Sequence, residues 1–200
     1  MKHFILALLF ITLPLSFTYA QETSKTREIG LTTSDLNSFG VTYRKGNESS
    51  VWRFNALSSS LSFNNDERDD LDSDLSTFGF GLSIGKEWRS PVKDKLELRY
   101  GFDLRYSYSH GKTESFNTNL NSTVENISNS FETGINGVFG FNFLFTNEFL
   151  LGGEFLPTLY YGSSKLEIDD PQGQSSTRNT DSFGFRMNTS SVRLSLLYRF

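Results

Sequence analysis

The sequence predicts an all-β fold: a closed antiparallel eight-stranded transmembrane β-barrel, wound as an up-and-down meander. Three observations predict it. Lys95–Ser109 alternates without error, with Leu96, Leu98, Tyr100, Phe102, Leu104, Tyr106 and Tyr108 on one face and Lys95, Glu97, Arg99, Gly101, Asp103, Arg105 and Ser107 on the other. A helix would scatter these residues around its circumference, whereas a strand sorts them onto two faces. The chain also carries 20 Phe and 8 Tyr, yet its mean hydropathy is −0.37. No run after residue 20 is apolar enough for a spanning helix, but strands need only alternate to cross lipid. Finally, the links between candidate strands fall into a short set and a long set.

The chain divides into a signal peptide, residues 1–20, and a barrel domain, residues 21–200. Lys2 and His3 precede an apolar run from Phe4 to Phe17, and Thr18-Tyr19-Ala20 offers a small-x-small cleavage site before Gln21. The run is too short to span a membrane as a helix and has the layout of a secretory signal. Removing it takes away Lys2 and shifts the net charge from −4 to −5. An acidic chain of this kind does not suit nucleic acid. Without any Cys, disulfides and thiolate metal sites are excluded.

The eight strands are read in order. Arg27–Thr33 points Ile29 and Leu31 outward and Gly30 and Thr32 inward. Ser38–Lys45 sets Phe39, Val41 and Tyr43 against Gly40, Thr42 and Arg44. In Val51–Phe63, Trp52, Phe54 and Ala56 share a face, then the phase slips to Leu57, Leu61 and Phe63, which predicts a bulge. Thr77–Arg89 and Lys95–Ser109 alternate cleanly. Phe131–Phe145 points Phe131, Ile135, Phe139, Phe141, Phe143 and Phe145 outward. Phe149–Leu166 contains Pro157, where a missing N–H predicts a distortion. Ser182–Phe200 changes phase near Asn188–Ser190.

Alternate links are Gly46–Ser50, Ser90–Asp94 and Thr146–Glu148, all short. Those of the other set are Ser34–Asn37, Asn64–Leu75, His110–Ser130 and Glu167–Asp181, three of them long and polar. A soluble sandwich has no reason to sort loops by end, whereas bacterial barrels pair short periplasmic turns with long external loops.

The inward parity collects charge. Arg44, Arg53, Glu87, Glu97, Arg99, Asp103, Arg105, Glu132, Glu154 and Arg193 fall on it, with Arg89 and Arg199 beside them. An eight-stranded barrel has room inside for side chains and little more. Charges confined there must pair, which predicts a structural ion-pair network filling the lumen. A narrow pore lined by the same groups is the competing reading. The acidic run Asn64–Asp74 could hold a hard cation, but it lacks the glycine and closing Glu of a calcium loop, so no metal site is expected.

Val192, Leu194, Leu196, Tyr198 and Phe200 form an outward series that stops on a terminal aromatic. With this strand, the predicted mature chain resembles the small bacterial outer-membrane β-barrel proteins of the OmpA/OmpX type. The opening Glu28-Ile29-Gly30-Leu31 and the link Ser34–Gly40 resemble barrels common in Bacteroidota. The resemblance implies the cell outer membrane of a Gram-negative envelope, with outer-membrane lipid and lipopolysaccharide as surroundings. It also implies an assembly signal at Leu196, Tyr198 and Phe200 that the outer-membrane insertion machinery reads. Some barrel enzymes use a rim Ser-His-acid set on lipid A. Here His110 is the one histidine after residue 20, and its neighbour Ser109 points to the opposite face, so no enzyme and no cofactor are expected. The reading is a structural or surface-interaction barrel, with a porin-like channel for small solutes and a lipid-modifying enzyme as alternatives. The sequence names no ligand for the loops.

Overall fold

The computed structural model describes residues 25–35, 38–68, 71–117, 122–169, 175–188 and 191–200, so the predicted signal peptide lies outside the described residues. Among these, the strands in chain order are β1 (Thr26–Asp35), β2 (Ser38–Gly46), β3 (Ser50–Arg68), β4 (Leu71–Lys93) and β5 (Leu96–Asn117). They continue as β6 (Ser122–Leu144), β7 (Phe149–Phe155), β8 (Thr158–Asp169), β9 (Ser175–Arg186) and β10 (Val192–Arg199). All pairings are antiparallel, and β1 against β10 closes the ring, from Glu28↔Arg199 to Thr33↔Leu194.

The ten segments make eight walls. β6 pairs with β7 along Phe139–Leu144 and with β8 along Glu125–Asn136, so β7 and β8 are one wall strand interrupted at Leu156–Pro157. Pro157 has no N–H for the ladder, but its carbonyl still accepts from Gly137 N–H at 2.8 Å. Leu156 N–H donates to the Ser191 carbonyl at 2.7 Å, which ties this break to the neighbouring one between β9 and β10. The expected bulge in the third strand appears as a register shift between Ser58 and Ser60.

The wall is apolar outside and charged inside. Leu104 and Phe139 are each 57% exposed, while Arg53, Glu87 and Asp103 are at 0%. In lipid every backbone polar group must be paired internally, and a closed barrel is the β solution. Two inward apolar residues, Leu197 and Leu150, face each other directly across β10 and β7 and are buried together. Leu197 thus has a partner, although it breaks the alternation of its strand.

The long links are a correction. The sequence predicts loops at Asn64–Leu75, His110–Ser130 and Glu167–Asp181, but the ladders run on to Arg68↔Leu71, Asn117↔Ser122 and Asp169↔Ser175. Beyond Gly40↔Leu57, β3 pairs only with β4 among the described residues, and β9 pairs only with β8. The barrel therefore opens above β1 and β2 into a projecting sheet. Its two faces both meet water, so no alternation is demanded and none marks it in the sequence.

The opposite end carries tight turns. The Asn47 side-chain oxygen accepts from Ser49 N–H at 3.1 Å and Ser50 N–H at 2.8 Å, an Asx turn that reverses the chain between β2 and β3. Thr146 does the same for Glu148 and Phe149 N–H, at 3.2 and 3.0 Å. By the usual asymmetry of bacterial barrels this is the periplasmic end.

Candidate functional site: the charged lumen

Strand pairing brings the inward charges into rows. Arg53, Gly85 and Asp103 lie side by side on β3, β4 and β5, and the glycine lets Arg53 Nε reach Asp103 Oδ1 at 3.2 Å. A Cβ at Gly85 would collide with the Phe102 carbonyl oxygen and the Asp103 carboxylate. Two inward rows nearer the short turns, Arg99 lies beside Gly140, which in turn pairs with Glu154. Arg99 crosses that glycine to place Nη2 3.4 Å from Glu154 Oε2. Large and absent side chains alternate across the lumen, and this is what allows so many guanidinium groups inside it.

Glu87 is the hub. Its carboxylate takes Arg53 Nη1 at 3.1 Å, Arg99 Nη1 at 3.0 Å and Arg89 Nε at 2.9 Å, with Arg44 Nη1 at 3.9 Å. Arg53 turns its other terminal nitrogen to Glu154 at 2.9 Å. Arg193 Nη1 approaches the same carboxylate at 3.5 Å. Arg89 also grips Glu28 in bidentate fashion at 2.6 and 2.7 Å, the planar geometry in which arginine binds carboxylates best. Nearer the short-turn end, Arg199 bridges Glu28 at 2.9 Å and Glu97 at 3.1 Å, and Asn142 donates to Glu97 at 3.0 Å. Arg44 is held more loosely, with its shortest ion-pair contact 3.6 Å from Glu28.

Arg105 and Glu132 form a separate, higher group. Arg186 clamps Glu132 at 3.0 and 2.6 Å and lies over the Tyr160 ring, 4.3 Å from its centroid. Arg105 reaches Glu132 at 3.5 Å, and all three side chains are partly exposed. Of the residues singled out from sequence, Arg44, Arg53, Glu87, Glu97, Arg99, Asp103, Glu154 and Arg193 meet in one cluster. Arg105 and Glu132 do not join it. Sequence reading passed over Glu28 and Arg186, although Glu28 shares the inward parity of Gly30 and Thr32, and Arg186 that of Ser182 and Gly184.

Two polar cavities flank the cluster. One, about 320 Å³, is lined by Arg105, Ser107, Glu132, Ser182 and Arg186 among others. The other, about 370 Å³ at the short-turn end, is lined by Glu48, Ser49, Arg89, Pro91, Glu97 and Arg199. They share no residue, and the fully buried Arg44, Arg53, Glu87, Arg99 and Asp103 lie between them.

Other candidates stand apart. Tyr198 and Phe200 stack with centroids 6.1 Å apart on the outer face, and Phe200 N–H donates to the Arg27 carbonyl at 2.9 Å. Leu196 is outward and 53% exposed. His110 Nδ1 lies 2.8 Å from Asn129 Oδ1, while Ser109 is bonded to Ser130 at 2.6 Å. Among the described residues no group of carboxylates and histidines could hold a metal ion. The acidic run Asn64–Asp74 lies, but for Asp74, outside the residues whose side chains are described.

No protein-family model and no curated protein sequence matches the chain. Among solved structures, it is similar to a major outer membrane protein from Thermus thermophilus, with 13% identity, TM-score 0.45, and 88% of this chain and 98% of that one covered. It is also similar to Ail, the attachment invasion locus protein of Yersinia pestis, with 16% identity, TM-score 0.34, and 89% and 99% covered. A third is Neisserial surface protein A, with 10% identity, TM-score 0.28, and 88% and 93% covered. Likeness at this level adds nothing to what the barrel itself supplies. A closed even-numbered antiparallel wall, apolar outside and charged within, is that of an integral β-barrel protein of the cell outer membrane.

Proposed function

We propose that the lumen is a structural plug and that the protein serves the envelope through its wall and its projecting sheet, neither as a porin-like channel nor as an enzyme. The observation that carries this reading is the Glu87-centred cluster, whose middle, formed by Arg44, Arg53, Glu87, Arg99 and Asp103, lies fully buried between two cavities that share no lining residue. A permeating ion would have to displace guanidinium groups from carboxylates in a space with few alternatives for either. Catalysis at the rim has little to work with, because His110 is bonded to Asn129 on one face and Ser109 to Ser130 on the other. The insertion machinery remains the expected partner of the Leu196, Tyr198 and Phe200 series during assembly.

Planar-bilayer recording of the refolded protein tests the plug. The expected result is no steady conductance from the unsubstituted barrel and intermittent conductance from Arg53→Ala. Large, steady channels from the unsubstituted protein would replace the plug with a pore.

A further inference from the structure

We propose that the outer face of β2–β5, near the short-turn end, is a binding site for one anionic phospholipid, with its phosphate at Lys45 and Lys86 and an acyl chain over Ala56. Pairing sets three outward rows one above another. Nearest the short turns is Lys45↔Trp52↔Lys86↔Phe102. Above it lies Tyr43↔Phe54↔Ile84↔Leu104, then Val41↔Ala56↔Leu82↔Tyr106.

Lys86 is an anomaly on this face. It lies between outward Ile84 and Trp88 on its own strand, and no ion pair joins it to a carboxylate among the described residues. Its ammonium lies 5.4 Å from the centre of the Trp52 ring, directed across the row toward the strand that carries Lys45. A lysine on a lipid face bends its long stem to bring the charge to the headgroup level. There the counter-charge is a lipid phosphate, and aromatic rings mark the same interface.

The second half of the site is shape. Ala56 is a small residue ringed by Val41, Phe54, Leu82, Ile84 and Tyr106, and it opens an apolar groove of about 500 Å³. The groove begins one row above the lysines and runs toward the bilayer centre, as an acyl chain does below its headgroup. A neighbouring barrel would meet the groove but leave both ammonium groups facing lipid unpaired. Charge at one end and a continuous apolar groove at the other select a lipid of the leaflet at the short-turn end. The site is on the outer wall and does not depend on whether the lumen conducts.

The chain's two tryptophans, Trp52 and Trp88, both lie on this face and report on it directly. The folded protein is placed in phosphatidylcholine vesicles containing a minor fraction of phosphatidylglycerol with brominated chains. Quenching is compared with vesicles in which the brominated lipid is phosphatidylcholine. The expected preference for phosphatidylglycerol is roughly thirtyfold, a factor of about five for each of the two lysines near an anionic lipid. Lys45→Gln with Lys86→Gln should bring that ratio to about one, and Lys86→Arg should keep it. Ala56→Phe, which fills the groove, should lower quenching by both lipids. Heat-modifiable migration confirms that each variant is folded. Equal quenching by the two lipids in the unsubstituted protein overturns the proposal, as does a preference that survives loss of both lysines. Undiminished quenching of Ala56→Phe removes the groove from it.

Discussion

The Glu87 cluster and the Lys112 ion pairs are made of similar groups on the same sheet, in opposite surroundings. Glu87 contacts four arginines, with every side chain at most 1% exposed. Lys112 meets Glu114 at 2.5 Å and Glu125 at 3.3 Å on the projecting hairpin, with all three side chains about a third to a half exposed. Distance alone would rank Lys112 first. Surroundings reverse the order, because water screens the exposed pairs and offers each partner an alternative. Inside the lumen no alternative exists, so a removed partner leaves its counterpart buried and charged.

The largest effect should come from the hub. Glu87→Ala leaves Arg44, Arg53, Arg89 and Arg99 short of a shared carboxylate, and breaking one buried pair costs about 3–5 kcal/mol. Denaturant titration followed by heat-modifiable migration measures it, and an unshifted midpoint would show that the lumen is wet enough to screen its charges.

Two arginines of one strand sharpen the comparison. Arg99 is fully buried with contacts to Glu87 and Glu154, whereas Arg105, 29% exposed, has one contact of 3.5 Å to Glu132. Arg99→Ala should therefore cost several kcal/mol, and Arg105→Ala about 1 kcal/mol or less. Equal losses in the same titration would mean that position along the lumen does not matter.

The outer face gives a smaller effect. Leu196→Asp puts a charge toward lipid, where even a basic residue at mid-bilayer costs only about 2–4 kcal/mol and Asp less. With deletion of Phe200, it should lower the yield of folded protein in the outer membrane, and normal yields from both would argue against an assembly role for this strand.

The smallest belongs to Lys112. Hydrogen bonds from its ammonium to Glu114 and Glu125 hold its pKa above the ordinary lysine value. Any stabilisation is present below the ordinary lysine range and disappears as pH rises through the raised value. Lys112→Ala should leave the neutral-pH denaturation midpoint unchanged, and a clear drop would give the projecting sheet a stabilising network of its own.

Alternation in Lys95–Ser109 was legible because lipid and lumen make opposite demands on successive residues, and Pro157 announced the break between β7 and β8. The strands through His110–Ser130 were not legible. Register pairs such as Thr113↔Asn126 and Ser115↔Val124 hold them as a ladder. With water on both faces, nothing in their composition had to alternate. Within the lumen, sequence parity placed Arg99 and Glu154 inward but could not say that they meet across Gly140.

By itself the sequence determined which residues face lipid and which face the lumen, since a period of two allows one assignment per strand and lipid excludes the reverse. It also determined that the interior would be crowded with charge. Tertiary structure decided the rest: β1 closing on β10, Glu28 meeting Arg89 from a strand 61 residues away, and Lys86 set beside Trp52 over the Ala56 groove. Those contacts depend on strand register and shear around a closed ring, and no single strand carries that information.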